Sequence, residues 1–462
     1  MNSCIYNNQT HQTKKQHHSN NEFRLDTFSK KITINLLTNL YNMIRTLGRT
    51  IRKFSTKEYG VYAGVKVPFV RSLDEATVKP EETDIWPAYR LIDNNGVPVD
   101  KKKKAPHLAL GLSEDTLVDF YKTMQKLRAM DQIFYDAQRQ GRISFYMTNS
   151  GEEGTHIGSA AAMDDGDMIY GQYREAGVLM WRGFSLQQFA DQCFSNAGDP
   201  AKGRQMPIHY GSVEHNFQTI SSPLTTQLPQ AAGAAYAYKL AKNGKMVVCY
   251  FGDGAASEGD FHPALNMSAT LECPMIFFCR NNGYAISTSV ADGDQYRGDG
   301  IVSRGPGYGM ASMRVDGNDV FAVYEATQYA REIAMKEQRP VLIEAMTYRQ
   351  GHHSTSDDST RYREIDEIKD WQENNDPVLR LRSYMENLGC WDEEKEKDIV
   401  KTMRKEVLRA LSEAETKEKA PMCSVFEDVY KCEVLPQALA LQEKQMNEHI
   451  AKYPDHYQIG GH

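Results

Sequence analysis

The chain has 462 residues, 40% apolar and 25% charged, an ordinary globular composition with room for one large α/β domain plus appendages. Its formal net charge of −7 leaves no footprint for nucleic acid, and no run approaches the roughly 20 apolar residues of a membrane-spanning helix. The eight cysteines include no CxxC pair, which argues against a zinc ribbon or redox dithiol, and Cys249 sits in an apolar run as a small hydrophobe.

Residues 27–57 lack any acidic side chain, while Lys30, Lys31, Arg45, Arg49, Arg52, Lys53 and Lys57 are interleaved with apolar and hydroxyl groups. Ile34, Leu37 and Tyr41, then Ile44, Leu47 and Ile51, recur at helical steps. This is a basic amphipathic helix, the physical form of a mitochondrial presequence. A transit peptide over residues 1–54 is expected, with Met43 as a second possible start; a disordered basic arm is the competing reading. Residues 7–21 are low-complexity rather than a histidine metal site. Residues 55–105, with four prolines and the lysine run 101–104, read as an extended arm.

Ser113 caps a helix whose stripe of Leu117, Phe120, Tyr121, Met124, Leu127 and Met130 runs to about residue 140. Apolar β-type runs follow at 167–170, 246–251, 275–279 and 341–345, separated by helical segments at 185–195, 230–242, 261–271 and 320–336. Such alternation predicts an α/β fold with a doubly wound parallel sheet over residues 106–375. Ligands of such sheets bind beyond the carboxyl ends of the strands. Residues 376–462 read as a helical region and tail. Ile399, Met403, Val407 and Leu411, four apart, suggest a docking or oligomer helix over 391–417.

The strand 246–251 runs into Gly252-Asp253-Gly254-Ala255-Ala256, and small residues there let backbone approach a phosphate group. The next strand ends in Arg280-Asn281-Asn282-Gly283-Tyr284. Neighbouring strand ends thus present a carboxylate, Asp253, and a carboxamide, Asn282, a pair suited to magnesium sharing diphosphate oxygens. Two ordinary βα turns are the bland alternative.

From Gly-Asp-Gly to Asn-Asn, this stretch resembles the thiamine-diphosphate motif. With Gln172-Tyr173-Arg174-Glu175 and 220–227, the chain is similar to alpha subunits of 2-oxo acid dehydrogenases. Residues 139–147, Gly151-Glu152-Glu153-Gly154-Thr155-His156 and His352-His353-Ser354-Thr355 look like the branched-chain branch. The resemblance runs from about Val67 to the end and is densest over 138–363. It implies that Asp253, Asn282 and the Tyr284 carbonyl hold magnesium. It also implies that Gly254, Ala255, Ser222 and Leu224 touch the cofactor, with Tyr173, Arg174 and Arg280 on its phosphate side. A guanidinium fork suits a diphosphate. Ser221, the Pro223 carbonyl, Thr226 and Gln227 would bind potassium, although without the resemblance this run reads as an N-cap cluster.

The segment 347–358 is too polar for a core and reads as an exposed loop at the site's edge. Its adjacent histidines lack the spacing of a zinc pair. By resemblance it is a phosphorylation loop: His353 touches the diphosphate and acts in catalysis, and Ser354 is the target of a regulatory kinase and phosphatase. Phosphate there would crowd negative charge against an anionic cofactor. A second phosphorylated serine found in some relatives is replaced by Glu364. A mobile polar loop without regulation is the alternative.

The resemblance also calls for a glutamate from a second α/β domain, and only one set of such signals is present. The implied enzyme is therefore a half-site completed by a beta subunit in an α2β2 heterotetramer in the mitochondrial matrix. It would decarboxylate branched-chain 2-oxo acids and pass the acyl group to a lipoyl-lysine of a transacylase core. The alternatives are a pyruvate dehydrogenase alpha subunit, a self-sufficient transketolase-like enzyme, and a nonenzymatic Mg-nucleotide scaffold. The last is disfavoured by the absence of a Walker lysine motif.

Overall fold

Residues 59–62, 65–69, 72–79, 84–102, 105–428 and 436–456 are described by the computed structural model, and the transit-peptide reading of residues 1–54 lies outside them. The chain divides into two units, residues 1–84 and 85–462. In the first, β1 (Tyr59–Tyr62) pairs antiparallel with β2 (Val65–Pro68), and a helical turn covers Leu73–Ala76. This part of the expected extended arm therefore contains a hairpin.

The second unit is built on seven strands: β3 (Ala88–Tyr89), β4 (Met168–Tyr170), β5 (Phe217–Gln218), β6 (Val247–Gly252), β7 (Met275–Asn281), β10 (Ala311–Asp316) and β11 (Val341–Met346), with β8 (Tyr284–Ala285) and β9 (Thr288–Ser289) forming a separate antiparallel pair after β7. Their order is β3-β10-β11-β7-β6-β4-β5, and every neighbouring pair is parallel. The four apolar runs read from sequence are β4, β6, β7 and β11. The doubly wound α/β expectation is met.

Alternation along the central strands explains why both faces are covered. Val248, Tyr250, Ile276 and Phe278 join one core with Leu117, Phe120, Ile157 and Phe321 of the helices on that side. Val247, Cys249, Phe251, Met275 and Phe277 join another core with Leu228, Ala231, Phe261 and Ala264. A strand buried on both faces needs apolar residues at every position, as β6 and β7 nearly have.

Register places the site. Gly252 lies opposite Arg280, and Asn281 lies opposite Met346, so the carboxyl tips of β6, β7 and β11 end level. β4 has β5 on one side and β6 on the other. The chain therefore reverses its direction of growth there, and the crevice at such a switch point is where ligands of these sheets bind.

Ser113 caps the helix Glu114–Arg139, its hydroxyl accepting from the Thr116 N–H at 3.2 Å. The helix Glu393–Glu415 corrects the docking-helix expectation. Its stripe of Ile399, Met403, Val407 and Leu411 is buried within the chain, where the helix packs on Glu114–Arg139 and Leu186–Phe194. The helix Glu153–Ala161, unread from sequence, packs against Val320–Glu337. Gly158 permits this approach, because a Cβ there would lie 2.6 Å from the Val320 carbonyl oxygen. Among the described residues no helix is long and apolar enough to cross a membrane.

Candidate active site

A cavity of about 390 Å³ opens at the tips of β4, β6, β7 and β11, within the size range of small-molecule sites. Asp253, Asn282 and Tyr284 line it, as do Tyr173, Arg174, Ser222, Leu224, Gly254, Ala255, Arg280 and His353. These are the residues expected to hold magnesium and the cofactor. The stretches that carry them are scattered from residue 173 to residue 353, and the level strand tips gather them.

Asp253 follows β6 and is buried. Its Oδ1 accepts the Asn282 N–H at 3.3 Å and its Oδ2 accepts Gln295 Nε2 at 2.7 Å. Burial pushes its carboxyl up to about 6. Asn282 Oδ1 accepts the Tyr284 N–H at 3.2 Å, and its Nδ2 donates to Glu152 Oε1 at 2.8 Å. The Tyr284 carbonyl accepts from Arg349 at 3.3 Å. The set is one carboxylate, one carboxamide and one carbonyl, all hard oxygens. Among the described residues no cluster of three His, Cys, Asp or Glu suits a softer metal. Gly254 cannot carry a side chain, since a Cβ there would lie 2.5 Å from that of Ala285.

Cationic groups crowd the same cavity, Arg174, Arg280 and Arg349 among its lining residues. Arg174 donates to the Thr148 carbonyl and the His353 carbonyl, each at 2.6 Å. Burial, together with the guanidiniums of Arg174 and Arg363, pushes Arg349 down to about 10. An anion between Arg174 and Arg349 would relieve this repulsion. The His353 ring meets the Tyr173 ring edge-on at 6.1 Å. Burial, Arg174 and Arg349 hold its pKa down to about 3, so the imidazole is neutral at physiological pH. With Arg174 donating toward Nδ1, the ring proton resides on Nε2.

Arg280 lines the cavity, but its guanidinium is engaged elsewhere: Nη1 pairs with Glu152 and Nη2 with Glu175, each at 2.6 Å. Glu258 lines the same cavity and is exposed.

The segment before the helix Gln227–Ala241 forms a second cluster. Thr226 Oγ1 lies 3.3 Å from Ser221 Oγ and 3.1 Å from the Pro223 carbonyl oxygen. Gln227 donates to the Tyr250 carbonyl at 3.1 Å, while its buried Oε1 has no partner among the described residues. Thr225 between them takes φ +66°, a left-handed conformation unfavourable for a β-branched residue.

The segment 347–358 corrects an expectation. Thr347, Tyr348, Arg349, Gln350 and Thr355 are buried, and Ser354 is half-buried. Polar residues are accommodated because they are bonded: Thr347 to the Gly151 carbonyl at 2.8 Å, Asp357 to the His353 N–H at 2.8 Å, and Arg363 to the Gly351 carbonyl at 2.7 Å. The Tyr348 and Trp371 rings stack 4.7 Å apart beneath it. Residue-level reading missed Arg349, Gln295 and the role of Glu152, none of which lies in a phosphate-type turn.

The dehydrogenase E1 component family model matches residues 121–423. The mitochondrial 2-oxoisovalerate dehydrogenase subunit alpha of Mus musculus is 53% identical over 398 residues, 86% of this chain and 88% of that protein. The protein of the same name in Caenorhabditis elegans is 52% identical over 419 residues, 90% of this chain and 94% of its own length. Subunit alpha 1 of Arabidopsis thaliana is 52% identical over 376 residues, 81% of this chain and 78% of that protein. By the extent of these matches and the parallel-sheet site they span, the chain belongs to the dehydrogenase E1 component family.

Proposed function

We propose that this chain is the thiamine-diphosphate-binding alpha subunit of a mitochondrial branched-chain 2-oxo acid dehydrogenase. It works with a beta subunit in an α2β2 heterotetramer of the matrix and delivers the acyl group to a lipoyl-bearing transacylase core. The observation that carries the reading is the convergence of Asp253, Asn282 and Tyr284 with Arg174 and His353 on one cavity.

When bound, thiamine diphosphate supplies the electron sink that lets carbon dioxide leave a 2-oxo acid. Asp253, Asn282 and the Tyr284 carbonyl would hold Mg²⁺, the ion that hard oxygen ligands and diphosphate oxygens favour. Arg174 and Tyr173 would face the diphosphate, with Gly254, Ala255, Ser222 and Leu224 against the rest of the cofactor. Arg280 would border the diphosphate, and it holds the carboxylates of Glu152 and Glu175 in place. Ser221, the Pro223 carbonyl, Thr226 and Gln227 would bind K⁺, and the unpartnered Gln227 Oε1 suits that role.

Neutral His353, with its proton on Nε2, can donate a hydrogen bond into the cavity and orient the acyl group for transfer. Ser354, next in the chain, is the proposed site of a regulatory kinase and phosphatase. The glutamate that activates the cofactor is assigned to the beta subunit, because the described residues build one parallel α/β sheet and the resemblance calls for a glutamate from a second such domain.

Turnover of 3-methyl-2-oxobutanoate against pyruvate by the reconstituted α/β pair tests the assignment. Preference for the branched acid is expected; preference for pyruvate would move the chain to the pyruvate branch. In calorimetry the pair should bind thiamine diphosphate and ignore ATP, and the reverse would leave only a nucleotide scaffold.

A further inference from the structure

A carboxamide has two unlike ends: its oxygen can ligate a cation and its NH₂ cannot. Which end of Asn282 meets the cation therefore depends on what holds the other end. Glu152 is fully buried and precedes the helix Glu153–Ala161. Its Oε1 receives Asn282 Nδ2 at 2.8 Å. An ionised carboxylate only accepts, so the NH₂ must face Glu152, and the oxygen is turned away from it.

Glu152 is itself held firmly. Its other oxygen takes Arg280 Nη1 at 2.6 Å, and Arg280 grips Glu175 through Nε at 2.7 Å. Glu175 in turn accepts the Gln172 N–H at 2.8 Å. Gln172 Oε1 receives the Gly252 N–H at 2.8 Å, beside Asp253. This chain of contacts runs from the tip of β7 to the tips of β4 and β6.

We propose that Glu152 is a positioning residue that fixes the Asn282 carboxamide with its oxygen toward the divalent cation. The proposal rests on the reading that Asp253 and Asn282 hold that cation. Groups that orient metal ligands in this way typically contribute about 10- to 100-fold in metal affinity.

The test is Mn²⁺ binding to the α/β complex with thiamine diphosphate present, followed by electron paramagnetic resonance of the free ion. Glu152→Gln should weaken Mn²⁺ binding about tenfold or more, because an amide can offer Asn282 either end. Asn282→Asp should weaken it too, by setting a carboxylate against Glu152. The double variant Glu152→Gln/Asn282→Asp should recover affinity, since the new amide donates to the new carboxylate and the total charge is unchanged.

A role confined to the Arg280 ion pair predicts no such recovery, and a double variant weaker than either single one overturns the proposal. Glu152→Asp keeps the charge beside Arg280 while shortening the reach to Asn282. It guards against a Glu152→Gln chain that does not assemble, and wild-type Mn²⁺ affinity in it also overturns the proposal. Asp253→Ala separates the two levels of inference. If it leaves Mn²⁺ binding intact, the cation reading falls and this proposal with it; if it abolishes binding while the double variant shows no recovery, only the role of Glu152 falls.

Discussion

Arg174 clasps His353 twice: one guanidinium nitrogen lies 2.6 Å from the His353 carbonyl oxygen and 3.2 Å from its Nδ1. The other terminal nitrogen donates to the Thr148 carbonyl at 2.6 Å. One planar group thus ties the end of β4 to the loop that carries Ser354. Arg174→Lys keeps the charge but loses the fork, leaving at least one buried carbonyl unpaired at a cost of about 1–3 kcal/mol. Thiamine diphosphate affinity should fall about tenfold, read by calorimetry on the α/β complex. Wild-type affinity would remove Arg174 from the site.

Ser354 is half-buried, between His353 and the buried Thr355, whose N–H donates to the Tyr146 carbonyl at 3.1 Å. Ser354→Glu places a longer, charged side chain in that space. Overall flux should drop at least tenfold, since burying an unpaired carboxylate is unfavourable by several kcal/mol and the loop must rearrange to expose it. Acylation of an isolated lipoyl domain gives the readout, and a normal rate would sink the regulatory reading.

His156 is fully buried, neither ring nitrogen has a partner among the described residues, and burial holds its pKa down to about 3 despite Glu152 nearby. The unfolded chain, with histidine near 6.5, takes up this proton first. Stability is therefore complete above about 6.5 and declines as pH falls toward about 3, by up to about 1.4 kcal/mol per pH unit. Denaturant titrations of the complex at several pH values, with His156→Leu alongside, check this. The variant should show a shallower decline, and identical slopes would contradict the assignment.

Legibility in the sequence followed burial. Strands β6 and β7 were readable because both faces are apolar, and Ser113 because a cap acts locally. β10 was missed since it carries Arg314 and Asp316, and only the fold supplies Arg314 with the buried Glu344 partner at 3.1 Å. The helix Glu153–Ala161 was missed because glycine, threonine, histidine and serine outnumber Ile157 and Ala160 among its buried residues, leaving no apolar stripe. The segment 347–358 reads as exposed on polarity alone, whereas the partners of its first residues, such as the Gly151 carbonyl and Asn318 for Thr347, lie far off in sequence. Asp253 and Asn282 were found through their adjacent turns. Glu152 sits 130 residues from Asn282, and no local pattern announces that contact.

The most direct measurement is calorimetry of thiamine diphosphate binding to the α/β complex in Mg²⁺, comparing wild type with Asp253→Ala. Level strand tips that share one divalent ion predict that Mg²⁺-dependent binding is lost in the variant while the complex still assembles. Undiminished Mg²⁺-dependent affinity in the variant would contradict it.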